Sequence, residues 1–181
     1  GQHGFLSVPG FRGMKPFSLA SAPEDDEVVI ATHVHQARKK KNKLANLQEG
    51  DIVSLRGPIL KFILDPQDES IVFIAQGIGI TPFRSLLRHI KHDKLNVQTT
   101  LLHVSKQTHT FRGETEKLAN KSYYVNSSTD FKTKLTELVE EQPEARYYIS
   151  GGKQFIVDTT KLVKQLGIIG SKIKKDPFLG Y

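Results

Sequence analysis

Residues 71–87 read IVFIAQGIGITPFRSLL, and this stretch decides how the chain folds. The first five residues are an uninterrupted apolar run rich in β-branched side chains, which is typical of a strand buried on both faces. Gly77 and Gly79 follow, and Thr81 with Pro82 predicts a helix start in which Thr81 is the N-cap. The stretch therefore predicts a strand, a glycine turn and a helix, an arrangement in which free backbone N–H groups can meet a pyrophosphate.

The two glycines by themselves leave two interpretations open. The spacing Gly-x-Gly-x-x-Pro lacks the third glycine of the dinucleotide-binding fingerprint, and an ordinary strand-to-helix turn fits it equally well. The segments that follow favour a nucleotide-binding sheet, because strand-like and helix-like patterns alternate as in a parallel sheet with right-handed crossovers. Strands are predicted at 71–75, 97–104, 123–125, 146–149 and, more weakly, 171–173, and helices at 82–91, 111–119, 131–140 and 155–166.

Composition limits the class of protein. The 181 residues suit one large domain or two small ones, and the absence of cysteine excludes disulfides, thiolate metal sites and a cysteine nucleophile. We expect a cytoplasmic protein, because a chain without cysteine suits a reducing interior. No secretory signal opens the chain, and no apolar run is long enough to cross a membrane. The net charge of +7 indicates an anionic ligand or an acidic partner. The first residue is glycine, which predicts that an upstream piece is missing.

Residues 1–64 have a different pattern from the rest of the chain. Short strands are predicted at 5–8, 17–20, 28–34 and 52–55, and Gly57-Pro58 is expected to break the last of them. A short helical pattern follows the lysine run at 39–43. Several short strands with one small helix predict an antiparallel Greek-key barrel. The apolar-free segment 65–70, DPQDES, is the predicted linker to an α/β domain at 71–181.

The order of these motifs resembles the ferredoxin–NADP reductase superfamily of flavoenzymes across essentially the whole chain. Residues 15–21, KPFSLAS, stand where that family has Arg-x-Tyr-Ser-x-x-Ser, and residues 77–82 match its Gly-x-Gly-x-Thr-Pro motif. The opening Gly-Gln, the pair Gly50-Asp51 ahead of Gly57-Pro58, and SGGKQF at 150–155 in place of Cys-Gly-Pro-x-x-Met/Phe follow the same order. The end of the chain, DPFLGY, resembles the family's acidic and aromatic terminus.

Several positions depart from the family pattern. Lys15 replaces an arginine that grips a flavin phosphate and so keeps the charge without the bidentate fork. Phe17 replaces a tyrosine, Leu60 a glycine, and Ser150 a cysteine near the nicotinamide. The basic run at 39–43 stands where the family has Gly-x-x-Ser at a helix start.

The resemblance implies a flavin-dependent oxidoreductase with FAD, rather than FMN, held between the two domains, and a barrel that lacks its first strand here. Nicotinamide would deliver a hydride to the flavin, which would pass electrons to an acceptor. An acidic carrier such as ferredoxin or flavodoxin is one acceptor that the basic charge allows. The implied catalytic residues are Ser18, Thr81 and Ser150. The implied flavin-binding residues are Lys15, Pro16, Phe17, Ser18, Thr32, Val34, Lys41, Asn42, Lys43, Thr81 and Tyr181.

The resemblance also implies a site for NADH or NADPH. Its residues would be Gly77, Gly79, Pro82, Lys106, Ser127, Ser128, Gly151 and Gly152. Family members that use NADPH commonly place Ser-Arg after the third strand of this domain, but this chain has no arginine there. Asp130 is close and reads as part of the next helix, and Lys106 and Lys132 can supply positive charge. We therefore expect both nicotinamides to be used, with only a modest preference.

Other interpretations stay open beside this one. Phe17 can be an ordinary core residue, Ser18 a strand serine bonded to backbone, and the lysine run at 39–43 a solvated loop. The seven histidines show no metal-ligand spacing, and His103 is expected to be structural. The main alternative function is a non-catalytic flavin- or nucleotide-binding module that kept the fold. Nucleic-acid binding is disfavoured, because the lysine run has no interleaved aromatic residues.

Overall fold

The computed structural model describes residues 2–8, 14–32, 44–59 and 62–178, with Lys15 and Phe178 described by their backbone alone. These residues contain two sheets. The strands are β1 His3–Ser7, β2 Lys15–Ser18, β3 Ser54–Ile59, β4 Ser70–Gln76, β5 Gln98–Val104, β6 Lys121–Val125, β7 Arg146–Gly152 and β8 Ile173–Phe178. The helices are α1 Thr81–His92, α2 Arg112–Leu118, α3 Ser128–Glu141 and α4 Lys153–Gln165, with 3₁₀ turns at Gly77–Ile80 and Gly170–Lys172.

The first sheet is antiparallel, with strand order β2-β1-β3. The prediction that Gly57-Pro58 ends the strand at 52–55 is wrong, because β3 runs from Ser54 to Ile59 through both residues. The register explains the difference: His3 pairs with Ile59 and Phe5 with Arg56, so β3 bulges by one residue at this point. β3 lies at an edge of the described three-stranded sheet, and both an edge position and a bulge accommodate a glycine and a proline.

The strand predicted at 28–34 is not formed in its described part, residues 28–32. Only an isolated bridge joins Ile30 to Leu19. The backbone N–H of Val29 donates to the Ser21 hydroxyl at 3.1 Å, so a side chain takes the place of a ladder partner. The Ala20 N–H donates to the Val29 carbonyl at 2.8 Å beside this bridge, and Val28 is 61% exposed, so the apolar pattern predicts more strand than the described residues form.

The second sheet is parallel, with strand order β6-β5-β4-β7-β8, and confirms the predicted five-stranded α/β domain. All apolar residues of β4 are fully buried. Val72 and Ile74 face a core shared with α3 and α4, whereas Ile71, Phe73 and Ala75 face one shared with α1. The weak strand predicted at 171–173 is displaced, since residues 170–172 form a 3₁₀ turn and β8 begins at Ile173.

The helix after the glycine turn starts differently from the prediction. Its N-cap position is held by Ile80, and a 3₁₀ turn at Gly77–Ile80 runs directly into α1. The Thr81 hydroxyl donates to the Ile78 carbonyl at 3.0 Å, so Thr81 lies inside the helical spiral and does not accept a capping hydrogen bond. The prediction of Thr81 as N-cap is therefore wrong, while Pro82 does lie in the first turn.

The predicted linker at 65–70 is partly buried. Asp68 is only 6% exposed, and its carboxylate accepts a 2.5 Å hydrogen bond from the Tyr148 hydroxyl on β7 and pairs with Arg146. A run without apolar residues is thus anchored to the parallel sheet by its charge. The division of the chain at this segment stays a prediction. Among the residues in the four described ranges, no helix is both long and apolar enough to cross a membrane.

Candidate functional site

The carboxyl ends of the parallel strands gather the predicted nucleotide-binding residues at one edge of the second sheet. Gly77 follows β4, Lys106 follows β5, Ser127 and Ser128 follow β6, and Gly151-Gly152 ends β7. Parallel strands expose these ends on the same side, which is where such sheets bind ligands. The topology therefore brings the sequence-predicted nucleotide site together.

The two glycines of the turn are required for different reasons. Gly77 has φ +52°, in the left-handed region that favours glycine. A Cβ on Gly79 would lie 2.8 Å from the Ser150 carbonyl carbon, nearer still to its oxygen, and 3.1 Å from the Gly151 Cα. Gly79 is thus fixed by close packing of the turn against β7. This packing is a structural reason for glycine at position 79, beside the nucleotide-binding role that the resemblance implies.

A buried histidine contacts the same turn. His103, at the end of β5, is fully buried, and its Nε2 lies 2.8 Å from the Gly77 carbonyl oxygen. Its Nδ1 is a buried atom without a hydrogen-bond partner in the described part of the chain. The ring also contacts His109, with 4.8 Å between the ring centroids. The structural role expected for His103 is therefore specific: it contacts the predicted nucleotide turn.

The loops after β5 and β6 are tied together beside the turn. The Asn126 side-chain N–H donates to the Ser105 carbonyl at 2.9 Å. The Ser127 hydroxyl accepts a hydrogen bond from the Asp130 backbone N–H at 3.0 Å and caps α3. This confirms Asp130 as a helix residue and shows that one lone pair of the Ser127 hydroxyl is already used. Lys106 is exposed in the loop after β5.

A second polar cluster lies where the two sheets meet. The Ser18 hydroxyl, on β2, lies 3.1 Å from His3 Nε2, and the same nitrogen is 3.5 Å from the Asp176 carboxylate on β8. The Ser150 hydroxyl, on β7, donates to the other oxygen of Asp176 at 3.3 Å. All four side chains are buried. The structure thus joins the two predicted catalytic serines, Ser18 and Ser150, through a histidine and a carboxylate.

The electrostatics of this cluster are set by burial. Removal from water raises the pKa of Asp176 above its ordinary value, while His3 and the Ser150 hydroxyl favour the ionised form and oppose the shift. His3 Nδ1 is buried and has no hydrogen-bond partner among the described residues. The cluster therefore combines a carboxylate that readily takes a proton with a histidine nitrogen that still lacks a partner.

An ion-pair network joins the segment after β2 to α1 and α2. Arg84 donates to the Ala20 carbonyl at 2.6 Å and to Glu114 at 2.7 Å. Arg88 makes a bidentate contact with Asp25, at 2.6 to 2.9 Å, and bonds Glu114 at 2.5 Å. The Arg88 hydrogen bonds hold the pKa of Asp25 below its usual value. Burial raises the pKa of Glu114, but its bonds to both arginines outweigh that effect and lower it overall.

In the described part of the chain, one group of three side chains lies close enough together to bind a single metal ion. The sequence alone shows no metal-ligand spacing. The group consists of Glu24, His89 and Asp93. His89 Nδ1 lies 2.7 Å from the Glu24 carboxylate and 3.7 Å from that of Asp93, so the group is also a set of ion pairs. Glu24 is remote in sequence from the other two, so sequence spacing does not reveal the three residues as a group.

Several predicted flavin-binding residues lie outside the described residues, namely Val34, Lys41, Asn42, Lys43 and Tyr181, as do Leu60 and the side chain of Lys15. Among the others, Pro16, Phe17 and Ser18 lie on β2, Thr32 lies in the segment after the bridge at Ile30, and Thr81 begins α1. Phe17 is 6% exposed, so protein already covers most of its ring.

Sequence reasoning missed His3, Asp176 and His103 as site residues. Asp176 carried a signal, since it belongs to the acidic terminus that resembles the family's. His3 and His103 carried none, because each acquires its partners only through strand pairing: His3 lies opposite Ser18 in the register of β1 and β2, and His103 lies beside Ala75.

Comparisons with known proteins agree with this geometry. Residues 73–161 match the model of the oxidoreductase NAD-binding domain family. The flavohemoprotein of Bacillus subtilis is 26% identical in an alignment of 198 positions that covers 98% of this chain and 46% of that protein. The Flavohem-like FAD/NAD binding domain of nitric oxide dioxygenase from Vibrio cholerae superposes with a TM-score of 0.81 at 24% identity, covering 98% of this chain and 84% of that one.

A second solved structure shares the two-sheet fold. Ferredoxin–NADP⁺ reductase from Plasmodium falciparum superposes with a TM-score of 0.76 at 18% identity, over 98% of this chain and 82% of that one. At these identities the two structures establish the fold and confirm the predicted two-domain architecture. The chain spans about half the length of the curated relatives it matches.

Proposed function

We propose, because the chain belongs to the ferredoxin–NADP reductase-like oxidoreductase superfamily, that it takes reducing equivalents from NAD(P)H through FAD to an electron acceptor. The observation that carries the proposal is the buried cluster where the two sheets meet, which we call the junction cluster and which consists of Ser18, His3, Asp176 and Ser150. Two serines predicted from different motifs, Ser18 on the first sheet and Ser150 on the second, converge on one buried carboxylate, Asp176, where the two sheets meet. A reaction between a flavin on one domain and a nicotinamide on the other requires reactive groups at such a boundary.

The residues at the sheet edge fit a nicotinamide dinucleotide. The turn at Gly77–Ile80 begins a helical spiral, so its first N–H groups have no partner within the spiral and are available to phosphate oxygens. Gly151 and Gly152 place no side chains at the end of β7, and a Cβ at Gly152 would meet nothing nearer than the flexible Gln76 side chain at 3.3 Å. Lys106 and the Ser128 hydroxyl would flank the adenosine end.

The junction cluster fits a flavin. His3 Nδ1, a buried nitrogen without a described partner, and the Ser18 hydroxyl would offer hydrogen bonds to the ring system of the cofactor. The bound flavin would supply the hydride acceptor and the electron carrier. The chain's own residues would orient it and exclude water, and the Asp176 carboxylate, 3.5 Å from His3 Nε2, would place a proton-accepting group at the junction.

We infer that both nicotinamides are used. The end of β6 offers Ser127 and Ser128 but no arginine, so a 2′-phosphate would find hydroxyls and no bidentate partner. A charge-assisted contact is worth roughly 1.5–3 kcal/mol, so its absence reduces discrimination by about tenfold or more. We expect kcat/KM values for NADH and NADPH within about a hundredfold of each other, or roughly 2.7 kcal/mol. A larger ratio would show a specificity contact that this site does not contain.

We further propose an acidic electron carrier, such as a ferredoxin or flavodoxin, as the acceptor. A hollow of about 520 Å³ lies between α4 and β8, with Ile156 and Val157 in its lining and Lys161, Lys164 and Lys175 around it. In the part of the chain that the structure describes, no carboxylate pairs with these lysines, so their charge is available to a partner. Successive residues of a strand face opposite sides, so Lys175 at the hollow is the direct neighbour of Asp176 at the junction.

The cofactor proposal is tested with the purified 181-residue chain. We expect a flavin absorbance spectrum after incubation with FAD, and bleaching of that spectrum by NADH or NADPH without oxygen. Lys15→Glu should weaken flavin retention strongly, because it sets a carboxylate against a phosphate. Flavin binding without bleaching would favour the non-catalytic alternative, and no flavin binding would refute the proposal.

The acceptor proposal is tested separately. Lys161→Glu with Lys164→Glu should slow electron transfer to ferredoxin or flavodoxin at low salt by about tenfold, since steering by opposite charge raises association rates. Reduction of ferricyanide, which is not an acidic protein, should keep its rate. Lys121→Glu, an exposed position on β6 at the opposite edge of the sheet, is the matched control. Equal rates for the hollow and control variants would exclude this surface.

A further inference from the structure

The geometry points to His103 as the residue that positions the glycine turn, by holding the Gly77 peptide in the orientation that presents its N–H side to a dinucleotide phosphate. The inference rests on the proposed function and concerns a residue whose sequence context predicts only a structural role. Its starting point is the 2.8 Å contact between His103 Nε2 and the Gly77 carbonyl oxygen.

The contact fixes the tautomer of the histidine. A carbonyl oxygen can only accept, so His103 Nε2 must carry the proton and donate it. Burial of the ring lowers the pKa of His103 to about 4, and the bond to Gly77 opposes this shift without cancelling it. The ring is therefore neutral near pH 7, with its proton on Nε2 and an unshared pair on the buried Nδ1.

The same contact determines the direction of the next N–H group. In a planar trans peptide the carbonyl and the following N–H point in opposite directions. Because the Gly77 carbonyl points at the buried imidazole, the Ile78 N–H points away from it. Gly77 and Ile78 are themselves partly exposed, so that direction leads toward the open edge of the sheet.

The backbone bonding of the 3₁₀ turn at Gly77–Ile80 holds this peptide from within the turn, and the His103 donor adds the contact that ties it to β5. Glycine adopts positive and negative φ about equally readily, and Gly77 has φ +52°. Loss of the donor would remove the side-chain contact to the carbonyl and let the peptide tilt within the turn. The Ile78 N–H would then no longer be held toward the phosphate, although the packing of Gly79 on β7 would remain.

The test uses two substitutions of His103 and a control on the same strand. His103→Phe keeps a flat ring but removes the donor, whereas His103→Gln offers an amide N–H of similar reach. Thr99→Val is the control, because Thr99 is a buried residue near the start of β5 whose hydroxyl donates to Asn120 at 2.9 Å, away from the turn. Each variant is prepared as the full chain loaded with FAD.

Equilibrium binding of NAD⁺ and NADP⁺ by calorimetry is the main readout. We expect the dissociation constant to rise about tenfold in His103→Phe, as for one lost hydrogen bond, and to stay within about threefold of the parent in His103→Gln and Thr99→Val. Hydride transfer at saturating nicotinamide should change little, since the turn binds the phosphates and not the reacting carbon. A merely structural role would instead make His103→Phe and Thr99→Val behave alike.

A spectroscopic measurement on the unliganded parent tests the hydrogen bond from His103 Nε2 to the Gly77 carbonyl directly. Imidazole ¹⁵N NMR should show His103 protonated on Nε2 at neutral pH and a slowly exchanging proton there. Protonation on Nδ1, or a His103→Phe variant that binds both nucleotides as tightly as the parent, would overturn the inference. A parent that binds neither nucleotide would instead refute the proposed function, so the two failures are distinguishable.

Discussion

Replacement of Gly79 by alanine should destabilise the parallel-sheet domain. The added methyl group would lie 2.8 Å from the Ser150 carbonyl carbon and 3.1 Å from the Gly151 Cα. Both atoms belong to the backbone of β7, which pairs with β4 on one side and β8 on the other, so they cannot move away without breaking the sheet. Overpacking of this kind costs about 1–3 kcal/mol, and we expect the upper end of that range because the neighbours are backbone atoms.

Thermal unfolding followed by far-ultraviolet circular dichroism measures this effect. At roughly 2–4 °C per kcal/mol for a chain of this size, a cost of about 3 kcal/mol lowers the midpoint by about 6–12 °C. Gly113→Ala is the matched control: Gly113 lies in α2, and a Cβ there would meet nothing within 4 Å. That substitution should stabilise by roughly 0.5–1 kcal/mol. A Gly79→Ala midpoint equal to that of the parent would refute the packing argument.

Further predictions concern the ion-pair network, the linker and the junction. Arg88→Met should lower the free energy of unfolding by about 1–2 kcal/mol. We expect a smaller loss than for a fully buried charged hydrogen bond, because the Arg88 side chain is 36% exposed. A double-mutant cycle with Asp25→Asn measures the coupling between the two side chains. The pKa of Asp25 is lowered in the folded protein, so its contribution to the free energy of unfolding is present above the unfolded pKa of 3.8 and is lost as the pH falls through the lower folded pKa. The melting midpoint should therefore fall more steeply with acid in the parent than in Asp25→Asn. Tyr148→Phe should cost roughly 1–3 kcal/mol in urea unfolding, because it removes a 2.5 Å bond to buried Asp68, and an unchanged midpoint would contradict that role. Ser150→Cys should keep or raise the rate of flavin reduction in stopped flow, and a large loss would count against its place at the nicotinamide.

The fold of the second domain was predictable because its signals are local. An apolar run such as residues 71–75 specifies a strand buried on both faces wherever the rest of the chain lies, and all five residues are fully buried. The four predicted helices differ from the observed ones by a few residues at their ends. Predictions from weaker local patterns were wrong. The apolar pattern at 28–34 does not form a strand in its described part, and Gly57-Pro58 lies within β3, which bulges near these residues.

The candidate site was predictable only where one short segment contains it. The sequence by itself determined the glycine turn, the strand before it and the gathering of loops at the carboxyl edge, because periodicity and turn chemistry act between neighbours. Only the tertiary structure decided that His3 and Asp176, at opposite ends of the chain, share a buried junction with Ser18 and Ser150, and that His103 holds the turn. Those contacts arise from strand register and from packing between sheets, which depend on the whole chain and leave no trace in local spacing.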